Sequence, residues 1–429
     1  MSGLSKSRAI DPATRTDGPQ SARKVPAVVY LLGLTIFSLT TSEFMVVGMM
    51  PSLAAALNVT VGQVGNLISL YALGMAIGGP ILTVGVLALK LPNKRALLWL
   101  LGLYVLGAAG AALSDSYLTM AIARTVMGVA ASACVGVALT ICADVVAPDL
   151  RGRASSFVLG GLMLAPVFGV PATALIEQNF GWRVSFWSVT ALAMLCTVIV
   201  AARAPASRAQ SDLSIVDEIK TLASAKLWAA YVTSGLIIGA AFTAFGYFAP
   251  IFTEITGFSA ASIPILLSLY GVANVVGNLV IGRFADRHTI GVLAIGLVVL
   301  TLGLALLAVA AAVPVIAVIA FFTIGLTGVA LNPAMVTRVM KVARPSPLVN
   351  TMHASIITFG LAFGTWLGGV SIDAGLGLTS PLWLGTAMAF LGLLSLGFTL
   401  PKRARLTVGA GSSTALAKAC PQQAPDVCR

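Results

Sequence analysis

The chain has 429 residues, of which 58% are hydrophobic and only 9% are charged, and its formal net charge is +12. A soluble globular domain carries roughly 25% charged residues, so this composition excludes a soluble enzyme and indicates a polytopic membrane protein. The five cysteines form no CxxC pair and the two histidines, His288 and His353, lie far apart, so we predict no metal site.

Twelve apolar runs are each long enough to cross a bilayer as a helix, which takes about twenty residues. The first follows a basic N-terminal tail and is too long for the core of a signal peptide, so we expect it to be retained. The runs cover 26–50, 63–89, 96–113, 117–141, 154–176, 184–202, 227–253, 262–282, 289–310, 314–337, 351–371 and 381–400. The sequence therefore predicts an all-α integral membrane protein with twelve transmembrane helices.

The distribution of Lys and Arg orients these spans. Twelve crossings place both termini on one side, and 24 of the 26 basic residues fall in the tails and loops of that side. The opposite side keeps only Arg183, so the positive-inside rule predicts that both termini are cytoplasmic. Orientation accounts for the net charge, and no nucleic-acid partner is predicted.

The chain divides into two similar halves. The longest polar internal segment, 203–226, separates the six-span units 26–202 and 227–400, which are flanked by cytoplasmic tails 1–25 and 401–429, the latter expected to be disordered. At a constant offset of 199 the halves share the pairs Pro51 and Pro250, Ser69-Leu-Tyr71 and Ser268-Leu-Tyr270, Gly78 and Gly277, Pro148 and Pro347, and Gly161 and Gly360. Paired repeats with a cavity at their interface are typical of secondary transporters.

One acid and one base remain inside the membrane once the loops are assigned. Glu43 lies in span 1, about 12 Å below the outer surface, and Arg124 lies in span 4, about 10 Å below the same surface at 1.5 Å per residue. If both spans face one cavity, the two side chains can pair. A static ion pair would serve packing alone, but ionisable groups inside membranes usually mark ion or substrate routes, and we favour that interpretation.

Two further segments indicate conformational change. Span 5 is rich in glycine and proline, including Pro166, Gly169 and Pro171, which permit a bend, although membrane helices also tolerate these residues without any special role. The segment that follows span 8 carries Gly282, Arg283, Asp286 and Arg287. Asp286 between two arginines favours a switch over a plain positive loop, because a carboxylate can reach the positive N-terminus of a neighbouring helix.

These segments together resemble the major facilitator superfamily, and within it the twelve-span drug:proton antiporters, especially the chloramphenicol-type and sugar-efflux-type exporters of bacteria. Residues Thr41–Met45 resemble the span 1 signature of those exporters, and Ala123–Gly128 resembles their span 4 motif. Gly161–Pro171 is similar to the antiporter motif of span 5, and Gly282–Arg287 to the cytoplasmic loop motif. The resemblance covers residues 26–400.

The resemblance implies the major facilitator fold, two six-helix pseudo-symmetric halves around a central cavity, and a part in proton coupling for Arg124. It also has two departures. The usual Gly-Pro pair of span 5 reads Ala165-Pro166, and Leu87 stands in the first half where Asp286 stands in the second. An aspartate latch in the first half is therefore in doubt.

Candidate substrate contacts are polar, aromatic or methionine side chains on the spans expected to face the cavity, where aromatics and methionine give an adaptable lining. They are Thr40, Phe44, Met45, Asn66, Tyr71, Phe245, Tyr247, Asn274, Asn278 and Asn332. Packing or lipid contact is the alternative role for each of them. No charge other than Glu43 and Arg124 is available, which disfavours strongly anionic or polycationic substrates.

These observations predict a transporter of the inner (plasma) membrane, surrounded by lipid and monomeric, that exports small neutral or amphipathic molecules such as drugs in exchange for protons. It would need no cofactor, because the proton gradient supplies the energy, and it would not be an enzyme. Efflux of sugars or nucleosides is the alternative, favoured by the three asparagines of the second half. A membrane sensor or membrane enzyme is a remote third reading, and the absence of a phosphate-binding Gly-rich loop argues against ATP-driven pumping.

Overall fold

The computed structural model describes residues 25–89, 91–147, 150–204, 222, 224–343 and 347–397. The N-terminal tail up to residue 24, the linker segment 205–221 and everything from residue 398 onward lie outside the described residues, as do Lys90 and Pro148. The predicted domain bounds in these segments, and the disorder expected of the C-terminal tail, therefore remain predictions.

The described residues form a helical bundle. The α-helices are α1 Ala27–Gly48, α2 Met50–Leu57, α3 Val61–Ala88, α4 Asn93–Ala112, α5 Tyr117–Val145, α6 Arg151–Leu164, α7 Val170–Phe180, α8 Trp182–Arg203, α9 Ala225–Phe245, α10 Phe248–Pro250, α11 Ile263–Ala310, α12 Pro314–Thr327, α13 Asn332–Val342, α14 Pro347–Ser371 and α15 Ser380–Gly397. Wider π-helical turns occupy Ala165–Gly169, Ile251–Ile255 and Ile372–Leu376, and tight 3₁₀ turns occupy Ala260–Ser262 and Val329–Leu331.

The bundle crosses the membrane twelve times, as predicted. Eleven helical segments are long and apolar enough to span a bilayer, and one of them, Ala260–Ala310, has 51 residues. At 1.5 Å per residue it would reach about 76 Å, more than twice the ~30 Å hydrocarbon thickness, so it must turn back. His288, with φ −130° and ψ 40°, is the non-helical residue that divides α11 into two crossings.

Alternating crossings give the bundle two ends. We call the end that holds residues 25–27, His288 and 397 the proximal face. The end that holds residues 113–116 and 377–379 is the distal face. Both described termini lie at the proximal face because the number of crossings is even.

Breaks occur at related places in the two halves. Met49 (φ −116°, ψ 18°) ends α1, and Tyr247 (φ −114°, ψ 16°) follows α9. Pro51 and Pro250 stand just beyond these breaks, where a residue without an N–H cannot continue the preceding helix. Predicted span 1 (26–50) is therefore slightly too long at its end. The shared conformation reflects the duplicated six-span unit.

Glycine pairs repeat the same close helix crossings in each half. A Cβ on Gly161 would clash with the carbonyl of Gly33, and one on Gly360 would clash with the carbonyl of Gly235. Small residues at such points allow membrane helices to approach backbone to backbone. The packing of α6 on α1 is thus reproduced by α14 on α9, which explains why Gly161 and Gly360 match at the repeat offset.

We expect Gly161→Ala to lower the melting temperature of the purified protein and to reduce transport severely, because the added methyl group meets backbone that cannot move aside. Gly160→Ala is the matched control, since no heavy atom lies within 4 Å of a Cβ there. The control should be neutral or slightly stabilising, by up to about 1 kcal/mol from helix propensity. Equal melting temperatures for the two variants would contradict a close crossing at Gly161.

Candidate functional site

The last three turns of α1 carry four consecutive polar residues, Thr40, Thr41, Ser42 and Glu43. All four are buried, and Glu43 is only 8% exposed. The hydroxyl oxygens of Thr41 and Ser42 have no hydrogen-bond partner among the described residues. A buried polar group without a partner is costly, so this stretch forms a polar patch that packing alone does not explain.

Arg124 of α5 lies against this patch and is fully buried. Its Nη1 donates to the carbonyl oxygen of Ser42 at 2.7 Å and its Nη2 to the carbonyl oxygen of Glu43 at 2.9 Å. Its Nε reaches the carbonyl of Leu67 in α3 at 3.5 Å, and the guanidinium carbon lies 4.4 Å from the ring centroid of Tyr71. One guanidinium therefore joins α1, α3 and α5, using the planar fork that is particular to arginine.

The sequence places Glu43 and Arg124 at matching depths, and the structure brings them into contact through the backbone of Glu43. No nitrogen of Arg124 lies within 4.0 Å of the Glu43 carboxylate, because the guanidinium is occupied by the two carbonyls. The carboxylate is thus held beside a positive charge without being locked into a two-point pair.

Tyr104 of α4 also belongs to this cluster and was missed by the sequence analysis. It is fully buried, and its hydroxyl has no partner among the described residues that meets hydrogen-bond geometry. It lies beside Ser42 and Tyr71. A tyrosine in an apolar run gives no distinguishing signal, since only the packing of α4 on α5 brings it to the site.

Aromatic rings connect this site to the second half. The ring of Phe44 stacks on Phe242 of α9 at 5.3 Å and meets Phe245 edge-on at 6.2 Å. Phe245 stacks on Tyr270 of α11 at 4.5 Å, and Tyr270 contacts Phe321 of α12 at 4.8 Å. We call these five residues the aromatic seam. It lies next to Glu43 in sequence and joins the two halves there.

The remaining candidate cavity residues do not converge on one place. Met45, Tyr71 and Tyr247 are packed in the core, and the Tyr247 hydroxyl donates to the carbonyl of Thr365 at 2.6 Å. In this conformation these three side chains therefore serve packing and do not line a substrate cavity. Tyr71 acts on Arg124 instead of lining open space.

The four asparagines are also separated. Asn66 of α3 lines a cavity of about 460 Å³ between α3, α14 and the start of α5. Asn274 of α11 is buried, and its Oδ1 has no hydrogen-bond partner among the described residues. Asn278 on α11 and Asn332 at the start of α13 are half-buried. The Oδ1 of Asn66 likewise has no hydrogen-bond partner among the described residues, so Asn66 and Asn274 are the two whose environments call for one.

The proline-rich part of span 5 forms a π-helical turn that contains Pro166 and Gly169, with Pro171 just after it. A Cβ on Gly169 would clash with the side chain of Thr41. The turn also contacts the other half, where Ser268 Oγ donates to the carbonyl of Val167 at 3.2 Å. The segment therefore departs from regular α-helix where glycine and proline are concentrated, and it packs between α1 and α11. A bend that takes part in conformational change stays a prediction.

The loop motif lies on α11 just before the turn at His288. The Oδ1 of Asp286 accepts a hydrogen bond from Thr337 of α13 at 3.3 Å, and Lys341 Nζ donates to the Asp286 carbonyl oxygen at 2.6 Å. No ion pair within 4.0 Å joins Asp286 to Arg283 or Arg287. In this conformation Asp286 therefore ties α11 to α13 within the second half. Gly282 lies one helical turn before Asp286, close to Pro333.

Comparison with known proteins now identifies the family. The model of the Major Facilitator Superfamily matches residues 32–348 and 232–420. The chain is 31% identical over 375 residues to the "Chloramphenicol resistance protein" of Streptomyces lividans, which covers 86% of this chain and 95% of that protein. It is 30% identical to the MFS-type transporter YtbD of Bacillus subtilis, covering 87% and 95%.

Two solved structures share the fold. A mutant of the nucleoside transporter NupG aligns with a TM-score of 0.69 at 15% identity, over 87% of this chain and 99% of that one. A bacterial homolog of the human lysosomal transporter Spinster aligns with a TM-score of 0.68 at 14% identity, over 86% and 96%. The chain belongs to the major facilitator superfamily and is a membrane transporter, not an enzyme.

Proposed function

We propose that the protein exports small neutral or amphipathic compounds, including chloramphenicol-like drugs, in exchange for protons. The observation that carries this proposal is the buried Glu43 carboxylate beside an arginine whose fork is held by backbone carbonyls. A carboxylate inside a membrane span costs about 2.5–3.5 kcal/mol, which a purely structural residue would avoid. The relative named for chloramphenicol resistance supports the substrate class.

The proposed cycle alternates access to the Glu43 site. The carboxylate takes a proton from the distal side. It thereby becomes neutral and loses its attraction to Arg124. The halves then rearrange about the aromatic seam, the proton leaves toward the proximal side, and substrate moves the other way. The second half has Phe242 at the repeat position of Glu43, so coupling resides in the first half alone.

We further infer that the protein is a monomer in the inner (plasma) membrane of a bacterium, with both termini cytoplasmic. The concentration of Lys and Arg on the side of the termini supports this orientation. The proximal face is then the cytoplasmic one. The six-helix halves are taken as 26–202 and 227–400, joined by the linker 203–226.

Efflux of sugars or nucleosides by the same mechanism is the second candidate. The unpartnered Oδ1 of Asn274 favours it, because a hydroxyl-bearing substrate would donate to that oxygen. Asn274→Leu separates the candidates. It should weaken transport of a hydroxyl-rich substrate strongly, whereas an apolar drug should be transported almost as well as before.

The test is transport in proteoliposomes with an imposed pH gradient. Chloramphenicol, other amphipathic drugs, sugars and nucleosides are compared for accumulation driven by protons, with protein-free liposomes as the blank. Uphill accumulation of a drug but not of sugars or nucleosides supports the leading proposal. Accumulation that is the same with and without the pH gradient would contradict proton exchange.

Aromatic substrates should depend on the seam. We expect Phe242→Ala to raise the KM for an aromatic drug about fivefold to tenfold, because a ring contact contributes about 0.5–1.5 kcal/mol beyond the buried area. Phe390→Ala is the control, since Phe390 of α15 is half exposed on the outside of the bundle. An unchanged KM for Phe242→Ala would show that the aromatic seam does not contact the substrate.

A further inference from the structure

A second cavity, unrelated to the Glu43 site, opens at the proximal face of the C-terminal half. Its volume is about 780 Å³. The first turns of α9, the turn at His288 and the last turn of α13 enclose it. Its lining is Ala225, Lys226, Ala229, Arg287, His288, Thr289, Ile290, Gly291, Arg338, Lys341 and Val342. We call it the basic cavity.

Four cations line the basic cavity, and none of its described lining residues is an acid. Lys226, Arg287 and Lys341 are exposed, whereas Arg338 is 95% buried, with only 5% of its surface exposed. No carboxylate of the described residues lies within 4.0 Å of the side-chain nitrogens of Lys226, Arg287 or Lys341. The three exposed cations, which line one cavity, repel one another unless an anion joins them.

Among the described residues, the groups next to Lys226, Arg287 and Lys341 do not supply that anion. Asp286 precedes Arg287 in the chain, but its Oδ1 accepts a hydrogen bond from Thr337. Lys341 Nζ binds neutral oxygens, the Asp286 carbonyl at 2.6 Å and the Thr289 hydroxyl at 2.8 Å. The helix α9 also begins here, at Ala225, without a side-chain cap, so its positive end adds to the field in the cavity.

The depth of the cavity selects the kind of anion. Lys226 is the second residue of α9, and Lys341 is the second-last residue of α13, so both lie where helices leave the hydrocarbon. Phospholipid headgroups occupy that level. Ala225, Ala229, Ile290 and Val342 provide apolar lining beside the cations. Arginine and lysine together suit phosphate oxygens, and basic pockets between membrane helices bind anionic headgroups.

We propose that the basic cavity binds a phosphate group, that of an anionic phospholipid from the leaflet at the proximal face. The lipid would join α9, α11 and α13, and thereby hold the turn at His288 against the last turn of α13. This proposal does not depend on the transported substrate or on proton coupling.

The test measures lipid binding to the full-length protein in detergent by native mass spectrometry. Phosphatidylglycerol and phosphatidylcholine are compared as probes. The test variant is Lys226→Gln with Arg287→Gln, two exposed cations of the cavity. The control variant is Arg95→Gln with Arg153→Gln, which removes two exposed arginines near the proximal face of the first half. Melting temperatures verify that both variants are folded.

We expect the wild type to prefer phosphatidylglycerol, and the test variant to bind it about tenfold more weakly or worse, since each cation near the surface contributes substantially to anionic-lipid affinity. The control should change it less than about twofold. Equal retention by wild type and test variant would overturn the proposal. A third arm adds millimolar inorganic phosphate. Displacement of the lipid by phosphate would assign the cavity to a soluble anion and overturn the lipid assignment.

Discussion

We expect Glu43→Gln to abolish uphill transport, so that the accumulation ratio in proteoliposomes falls to about one under any imposed pH gradient. A one-unit gradient stores about 1.4 kcal/mol per proton, which supports on the order of tenfold accumulation when one proton exchanges for one substrate. Glutamine has the size and polarity of the protonated acid but cannot release a proton. Exchange of labelled for unlabelled substrate should therefore continue while accumulation is lost.

Two controls make this expectation specific. Glu254→Gln removes an exposed carboxylate near the distal face and should leave both accumulation and exchange unchanged. Glu43→Asp keeps a titratable group but shortens it by one methylene, and should retain part of the coupling. A Glu43→Gln protein that accumulates substrate like the wild type would show that protons couple elsewhere. If both accumulation and exchange disappear, the side chain is needed for binding or folding instead.

Much of the fold follows from the sequence because the bilayer constrains helix length. Twelve apolar runs predict twelve crossings, and the structure has them, including the turn at His288 inside a continuous helical stretch. The repeat offset of 199 predicts equivalent packing, which Gly161 and Gly360 show. What the runs do not predict is where a crossing bends. The 3₁₀ turn Val329–Leu331 interrupts predicted span 10 (314–337), and α13 continues beyond it to Val342.

The membrane depth of the candidate site could be predicted from the sequence, but the contacts of its side chains could not. Counting residues from the helix ends brings Glu43 and Arg124 to one level. It does not give the rotation of each helix about its axis, so the sequence could not show that Arg124 binds backbone carbonyls. Every residue has a carbonyl, and none stands out in a sequence. The same limit explains why Tyr104 was missed.

The aromatic seam shows how the two halves differ at one equivalent position. Phe242 occupies the repeat position of Glu43 and stacks on Phe44, the residue after Glu43. The two halves share this crossing, but one carries an acid and the other a ring at the equivalent position. The second half thus has a buried apolar ring at the level where the first half has a carboxylate. A single coupling acid is consistent with that asymmetry.

We expect Arg124→Lys to destabilise the protein by about 2 kcal/mol and to reduce proton-driven transport by about tenfold or more, although the positive charge is kept. Lysine has one ammonium group and cannot bind the Ser42 and Glu43 carbonyls while lying flat over the ring of Tyr71. A hydrogen bond from a charged group contributes about 1.5–3 kcal/mol, and at least one is lost. Melting temperature and accumulation ratio are the measurements.

Tyr71→Phe and Tyr71→Ala separate the ring from its hydroxyl. The hydroxyl makes only a long 3.4 Å contact with the carbonyl of Leu39, so the Phe variant should transport and melt nearly as the wild type does. The Ala variant removes the surface on which the guanidinium lies and should resemble Arg124→Lys. An Arg124→Lys protein with wild-type melting temperature and accumulation would mean that a point charge suffices at this position. The fork that joins α1, α3 and α5 would then have no part in coupling.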